Sequence, residues 1–266
     1  MKIRFLGVGS AFTTPAYYQS NMLVRARSGK ELLVDCGSDI RFSLSEFMRG
    51  DGRKTTDPDE DFSTAIDAVY ISHLHSDHIG GMEWMAFRTY FAPNPAKPRL
   101  FMEENTMRDL WTHSLRGGLG RIEGKLMHLT DYFDCCPVPE NGSFCWENIR
   151  FTLVRMPHIM TGFKDFYSHG LLLREAEGPP IFISTDTQFR SDIIVPMSGR
   201  AEIIFHDCET SPFKSIVHAH YDDLRTLPAA VRRKMWLYHY QPHPVRQPKA
   251  DGFVGFVQKG QAFDFS

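Results

Sequence analysis

Six consecutive residues, His73-Leu74-His75-Ser76-Asp77-His78, gather three imidazoles and a carboxylate into one short stretch. Neutral imidazole and carboxylate offer the lone pairs that zinc, manganese and iron accept. Side chains two apart in an extended segment point the same way, so His73 and His75 project to one side. Asp77 and His78 follow where the chain must turn, and can reach a second ion beside the first. Gly80-Gly81 then let the backbone pass close by without steric conflict. A surface loop rich in histidine is the competing explanation, but this pattern arises by chance on the order of once in a thousand chains. The run predicts a centre for two divalent ions, best suited to zinc, with manganese or iron compatible.

The segment that delivers this run, Asp67 to Ser72, reads as a buried strand. Before it, Ile3 to Val8, Met22 to Ala26 and Glu31 to Asp35 are rich in β-formers and punctuated by glycine or polar residues. Helical spacing covers Ile40 to Met48, closed by Gly50, and a polar surface loop is expected from Gly50 to Phe62. Met82 to Phe91 has an apolar helical face, and a second helix is expected over Glu103 to Leu115. Strands return at Ile149 to Met156, Gly170 to Arg174, Ile181 to Thr185, Glu202 to Asp207 and Met235 to Tyr240. A helix from Asp222 to Lys234 lies between the last two, with Pro228 breaking it or opening a new first turn. No linker, low-complexity tract or short repeat divides the chain, so one α/β domain over residues 1–266 is expected.

With 266 residues and a hydrophobic fraction of 42%, the chain can bury a core without disulfide staples. Its net charge of −2, from 30 basic and 32 acidic side chains, argues against binding nucleic acid through a strong positive field. Five cysteines, with no C-x-x-C pair, suggest reduced thiols rather than a disulfide framework or cysteine zinc cluster. Met1-Lys2-Ile3-Arg4-Phe5 runs straight into a strand-like segment, and no apolar run approaches the ~20 residues that span a bilayer. A cytoplasmic protein with no membrane partner is expected.

H-x-H-x-D-H after a buried strand, followed by G-G, resembles the signature of the metallo-β-lactamase superfamily. Phe5-Leu6-Gly7-Val8-Gly9-Ser10 resembles that family's opening strand and turn, and Leu33-Val34-Asp35-Cys36-Gly37 resembles its D-x-G motif. The resemblance implies an αββα sandwich, two packed β-sheets flanked by helices, and three further ligands downstream. His158, Asp186 and His239 match those positions. His169 is a rival for the first, and His243 and His206 for the last. One ion would take His73, His75, His158 and Asp186, the other Asp77, His78, Asp186 and His239.

Phe205-His206-Asp207-Cys208-Glu209-Thr210 and Val217-His218-Ala219-His220-Tyr221 resemble the branch containing ribonuclease Z and related phosphodiesterases. The resemblance implies that Asp207 supplies a carboxylate and His218 a paired imidazole for phosphate binding or proton donation, with His220 as an alternative. Asp77 is expected to help orient the nucleophile, a hydroxide between the metals. The long glycine- and proline-rich arm that grips tRNA in ribonuclease Z has no counterpart between His158 and Gly170. These features predict a phosphodiesterase acting on a nucleotide or other small phosphodiester, with long RNA disfavoured. A lactonase or thioesterase of the same fold is the alternative, and a homodimer is compatible with either.

Overall fold

Apolar residues recur on both faces of the central strands, so each sheet must be covered on both sides. The structure, a computed structural model, describes residues 1–50, 65–95 and 97–265. In chain order its strands are β1 (Lys2–Phe5), β2 (Met22–Arg25), β3 (Glu31–Val34), β4 (Ala68–Tyr70), β5 (Arg99–Glu103), β6 (Arg121–Ile122), β7 (Lys125–Leu126) and β8 (Asp134–Val138). They continue as β9 (Ser143–Trp146), β10 (Ile149–Ile159), β11 (Phe166–Arg174), β12 (Ile181–Ile183), β13 (Ile203–Asp207), β14 (Met235–Tyr238), β15 (Gly255–Phe256) and β16 (Ala262–Asp264). One seven-stranded sheet has the order β16-β1-β2-β3-β4-β5-β8, the other β15-β14-β13-β12-β11-β10-β9. β6 and β7 form a separate ribbon.

Each sheet changes character midway. β1, β2 and β3 pair antiparallel, whereas β3, β4, β5 and β8 run parallel. Likewise β10, β11 and β12 pair antiparallel, and β12 to β15 run parallel. In open α/β sheets, ligands bind outside the carboxyl ends of parallel strands, where the chain leaves for the next crossover. The histidine run leaves β4 in this way.

Two-residue alternation sorts the side chains. Met22 and Val24 face the core between the sheets, while Leu23 faces the outer helices. Leu171 and Leu173 point inward in the same way, and Leu172 outward. Phe101, Phe144 and Phe151 stack in series at 4.1 and 4.8 Å, linking β5 of one sheet to β9 and β10 of the other. Helices Ile40–Gly50 and Met82–Tyr90 cover the first sheet, and Ser191–Ser198 covers the second. This is the αββα sandwich that the family resemblance implies.

Several element boundaries differ from the sequence reading. The first strand stops at Phe5 rather than Val8, because Leu6 and Gly7 donate to the carbonyl of Asn21 and begin a turn. The helix expected over Glu103 to Leu115 starts at Glu104 and passes at Leu110 into a π-helical turn ending at Leu115. The helix expected over Asp222 to Lys234 is two short ones, Tyr221–Leu224 and Ala229–Arg232, with Pro228 as N-cap of the second. The polar loop expected from Gly50 to Phe62 lies, beyond Gly50, outside the described residues. Among the described residues no helix is long and apolar enough to cross a membrane.

Candidate active site

β4 delivers Ser72 and His73 into the space between the sheets, and a short helix at Ser76–Ile79 turns Asp77 and His78 back toward them. The turn is tight. A Cβ on Gly37 would lie 2.2 Å from the carbonyl oxygen of Asp77, and one on Gly81 would lie 2.5 Å from that of Gly37. Only glycine permits this approach. From the other sheet come His158 near the end of β10, Asp186 after β12, Asp207 at the end of β13 and His239 after β14. His73, Asp77, His78, His158, Asp186, Asp207 and His239 are buried, and His75 is partly exposed.

The hydrogen-bond network assigns the imidazole tautomers. Ser72 Oγ donates to Asp35 Oδ2 at 2.9 Å and accepts from His73 Nδ1 at 2.9 Å. His78 Nδ1 donates to the same carboxylate oxygen at 2.8 Å. His158 Nδ1 donates to the carbonyl of Val217 at 2.8 Å. Each of these rings therefore commits Nδ1 outward and turns Nε2 inward, which is how outer partners orient metal-binding histidines.

The inward atoms fall into two groups that share one oxygen. His73 Nε2 and His158 Nε2 each lie 3.1 Å from His75 Nδ1, with Asp186 Oδ2 at 3.7 and 3.9 Å from the first two. On the other side Asp186 Oδ2 lies 3.2 Å from His78 Nε2 and 3.5 Å from His239 Nε2, and Asp77 Oδ2 lies 3.3 and 3.4 Å from the same nitrogens. Nitrogens around a tetrahedral zinc ion sit ~3.3 Å from one another. Each group of four could hold a metal ion. Buried His78 Nε2 and Asp186 Oδ1 have no hydrogen-bond partner, as befits atoms on the rim of a cation site.

The electrostatics agree. Burial drives the pKa of His73 well below its ordinary value and that of His75 down to about 4, which keeps both rings neutral. Burial also opposes charge on His78 and His239, but there Asp186 and its neighbouring carboxylates prevail and raise the pKa well above the ordinary range, so each ring carries a proton that a metal ion would have to displace. Burial would raise Asp77 and Asp186, yet the histidines around them hold both well below the ordinary carboxylate range. Asp35, Asp77, Asp186 and Asp207 form ion pairs only with histidines among the described residues. So much buried negative charge without lysine or arginine calls for cations.

A third arrangement adjoins the second group. Asp207 Oδ2 accepts from His218 Nδ1 and from the Thr187 amide, each at 2.9 Å, and Oδ1 faces His239 Nδ1 at 3.4 Å. Burial opposes ionisation of Asp207, but His218 and His239 outweigh it and hold its pKa down to about 2. Burial likewise opposes charge on His218, and Asp207 overrides it. The His218 ring, with 19% of its side chain exposed, stacks on His239 at 4.9 Å. Asp207 commits its Nδ1, leaving Nε2 for another partner.

All seven candidate ligands, together with Asp207 and His218, thus come together. The rivals do not. His169 is buried on β11, where its amide donates to the Ser72 carbonyl, and His206 turns to the Asp207 carbonyl. His243 is exposed beside Tyr17, and His220 caps Asp222 while Nε2 faces the Ser211 carbonyl. Asp35, quoted in the sequence only as part of a motif, proves to be the common acceptor for Ser72 and His78. Asp35, Thr185 and His239 adopt left-handed backbone with φ of 62°, 54° and 64°. Strain of this kind costs on the order of 1–3 kcal/mol per residue and clusters at functional sites.

A protein-family profile described as Anti-Pycsar protein Apyc1 matches residues 1–263. The chain is 34% identical over 242 residues to the Anti-Pycsar protein Apyc1 of Paenibacillus harenae, covering 90% of each. Among solved structures, the metallo-β-lactamase fold protein YhfI from Bacillus subtilis superposes with a TM-score of 0.70 at 14% identity, over 98% of both chains. The short form of human tRNase Z superposes with a TM-score of 0.67 at 18% identity, over 100% of both. The chain is a metal-dependent hydrolase with the metallo-β-lactamase fold, and it belongs to the Anti-Pycsar protein Apyc1 family.

Proposed function

We propose that this hydrolase is a phosphodiesterase that opens small cyclic nucleotides, with zinc as its most suitable metal. The observation that carries the reading is the Asp207–His218 pair, 2.9 Å apart and beside two groups of side chains that could hold metal ions. The family name points the same way, since degradation of a cyclic nucleotide is what an Anti-Pycsar protein would be expected to do. A six-residue turn at 160–165 and a net charge of −2 favour a small substrate over a long RNA.

In this reading His73, His75, His158 and Asp186 hold one ion, and Asp77, His78, Asp186 and His239 hold the other. Two divalent cations there supply Lewis acidity and lower the pKa of water enough to provide a nucleophile near neutral pH. Asp77 accepts a hydrogen bond from the attacking water and so fixes its approach to phosphorus. As the bond from phosphorus to the ribose oxygen breaks, His218 Nε2 delivers its proton to that oxygen, and Asp207 steadies the ring that gives it up. An alkoxide is a poor leaving group, so this proton matters; p-nitrophenolate leaves without one.

The test is turnover of a panel of cyclic nucleotides and of bis(p-nitrophenyl) phosphate, with zinc and with manganese. The wild type is expected to cleave both classes. His218→Ala is expected to lose ~100-fold on cyclic nucleotides and far less on the aryl ester. Turnover of acyl lactones by a protein that leaves every phosphodiester intact would replace this reading with the carbonyl-hydrolase one.

A further inference from the structure

His218 belongs to a loop, and what holds the loop is a carboxylate with no place among the metal ligands. Glu209 lies two residues beyond Asp207 and is buried, with 4% of its surface exposed. Its Oε1 accepts from Ser211 Oγ at 2.9 Å, and its Oε2 accepts from the amide of Ser215 at 2.9 Å. Its backbone clamps the far end of the same loop. The Glu209 amide donates to the Ala219 carbonyl, and the Glu209 carbonyl accepts from the Tyr221 amide, each at 2.9 Å. One residue thus ties the start, the middle and the end of the segment that carries His218.

The loop needs holding. Ile216, two residues before His218, has φ of 60° and a side chain that is largely exposed. A β-branched residue in left-handed backbone is a strained outlier that persists only where its surroundings impose it. The next residue, Val217, offers its carbonyl to His158 Nδ1. His158 is itself carried by β10, whereas His218 has only the loop backbone behind it, so a distortion that relaxed Ile216 would fall on the His218 ring. Thr210 adds a further anchor, its Oγ1 lying 3.1 Å from Gln241 Oε1, but it grips only the entry to the loop.

We propose that Glu209 is a positioning residue for proton delivery: it holds the 210–218 loop in the strained form that puts His218 against Asp207. This rests on the phosphodiesterase reading for its kinetic consequence, though not for its structural one. General acids contribute about 10²–10⁴-fold, and a misplacement of about 1 Å can forfeit much of that. Glu209→Ala is therefore expected to lose ~10-fold in kcat on a cyclic nucleotide while keeping its rate on bis(p-nitrophenyl) phosphate within about twofold. It should add nothing to the loss in a His218→Ala background, because it acts only through that ring. Glu209→Gln keeps an acceptor for the Ser215 amide and should restore most of the rate.

The experiment is this double-variant cycle on metal-loaded protein, with hydrogen exchange of the loop measured on the same samples. Faster exchange confined to 210–218, with β13 and β14 still protected, is the expected result. Equal losses on both substrates, additive losses in the double variant, or unchanged exchange in the loop would overturn the proposal. If Glu209→Ala does not fold, Glu209→Asp, one methylene shorter, carries the same test with an expected selective loss of ~3-fold. If the wild type cleaves no phosphodiester, the proposed function fails by itself, and loop exchange still decides the role of Glu209.

Discussion

β3, β4 and β5 in the first sheet stand in the same order and parallel sense as β12, β13 and β14 in the second. Their carboxyl ends are where the two halves part company. After β3 comes Asp35, an outer acceptor, whereas the turn after β12 supplies Asp186, whose Oδ2 faces both groups of ligands. β4 is followed by four candidate ligands within six residues, while β13 ends in Asp207 beside His218. At the end of β5, Glu103 caps a helix by accepting from the amides of Asn105 and Thr106; the equivalent end of β14 sends His239 into the site. One architecture thus supplies its ligands from a single turn in one half and from separate strand ends in the other, and each group of four takes two residues from each half. The ligands of the first half need only their own turn to stay together, while joining them to those of the second needs both sheets packed in register.

The largest expected effect comes from the atom that joins the halves. Asp186→Ala should lower kcat by at least ~1000-fold, because it strips a ligand from both groups at once. Metal analysis of the purified variant should show fewer than two ions per chain. Two ions retained at full occupancy would break the idea that Asp186 is shared.

Removing the metals altogether comes next. The buried carboxylates then lose their cations, and chelation is expected to lower Tm by about 5–10 °C. Hydrogen exchange in the metal-free protein should rise first around residues 73–78. β10 and β14 should hold, since their backbones stay paired within the sheet. Equal loss of protection in both halves would erase the distinction between them.

How much of this the sequence could disclose follows the same division. The ligands of the first half are legible because His73, His75, Asp77 and His78 adjoin one another, and local geometry suffices to interpret them. His158, Asp186 and His239 stand tens of residues apart, and only their resemblance to a known pattern singled them out. The role of Asp35 was hidden because its partners Ser72 and His78 lie 37 and 43 residues away. Glu209 shows no local pattern at all; its importance arises from burial and from a strained neighbour. The helix Ser191–Ser198 was missed because Pro196 inside it reads as a breaker, and the π-helical turn at Leu110–Leu115 has no periodicity of its own.

Two smaller effects sharpen the comparison. Asp35→Asn keeps the shape of the outer shell but weakens the orientation of His78, and should cost ~10- to 100-fold in metal affinity, read by chelator competition. Glu103→Ala touches no metal and should cost about 1 kcal/mol of stability in urea unfolding, with activity unchanged. Burial opposes ionisation of Glu103, but the capping amides and hydroxyl prevail and lower its pKa. Its contribution is therefore present above the ordinary carboxylate pKa and should fade as the pH falls through the depressed folded value. A Glu103→Ala penalty that does not shrink on acidification would contradict that assignment.

The central claim, hydrolysis of a small phosphodiester at the paired groups of ligands, is tested most directly by turning over a cyclic nucleotide in water enriched in heavy oxygen. The account predicts a nucleoside monophosphate carrying one heavy oxygen on phosphorus, and none from the Asp186→Ala variant. An intact cyclic nucleotide in the presence of fully metal-loaded protein would contradict it.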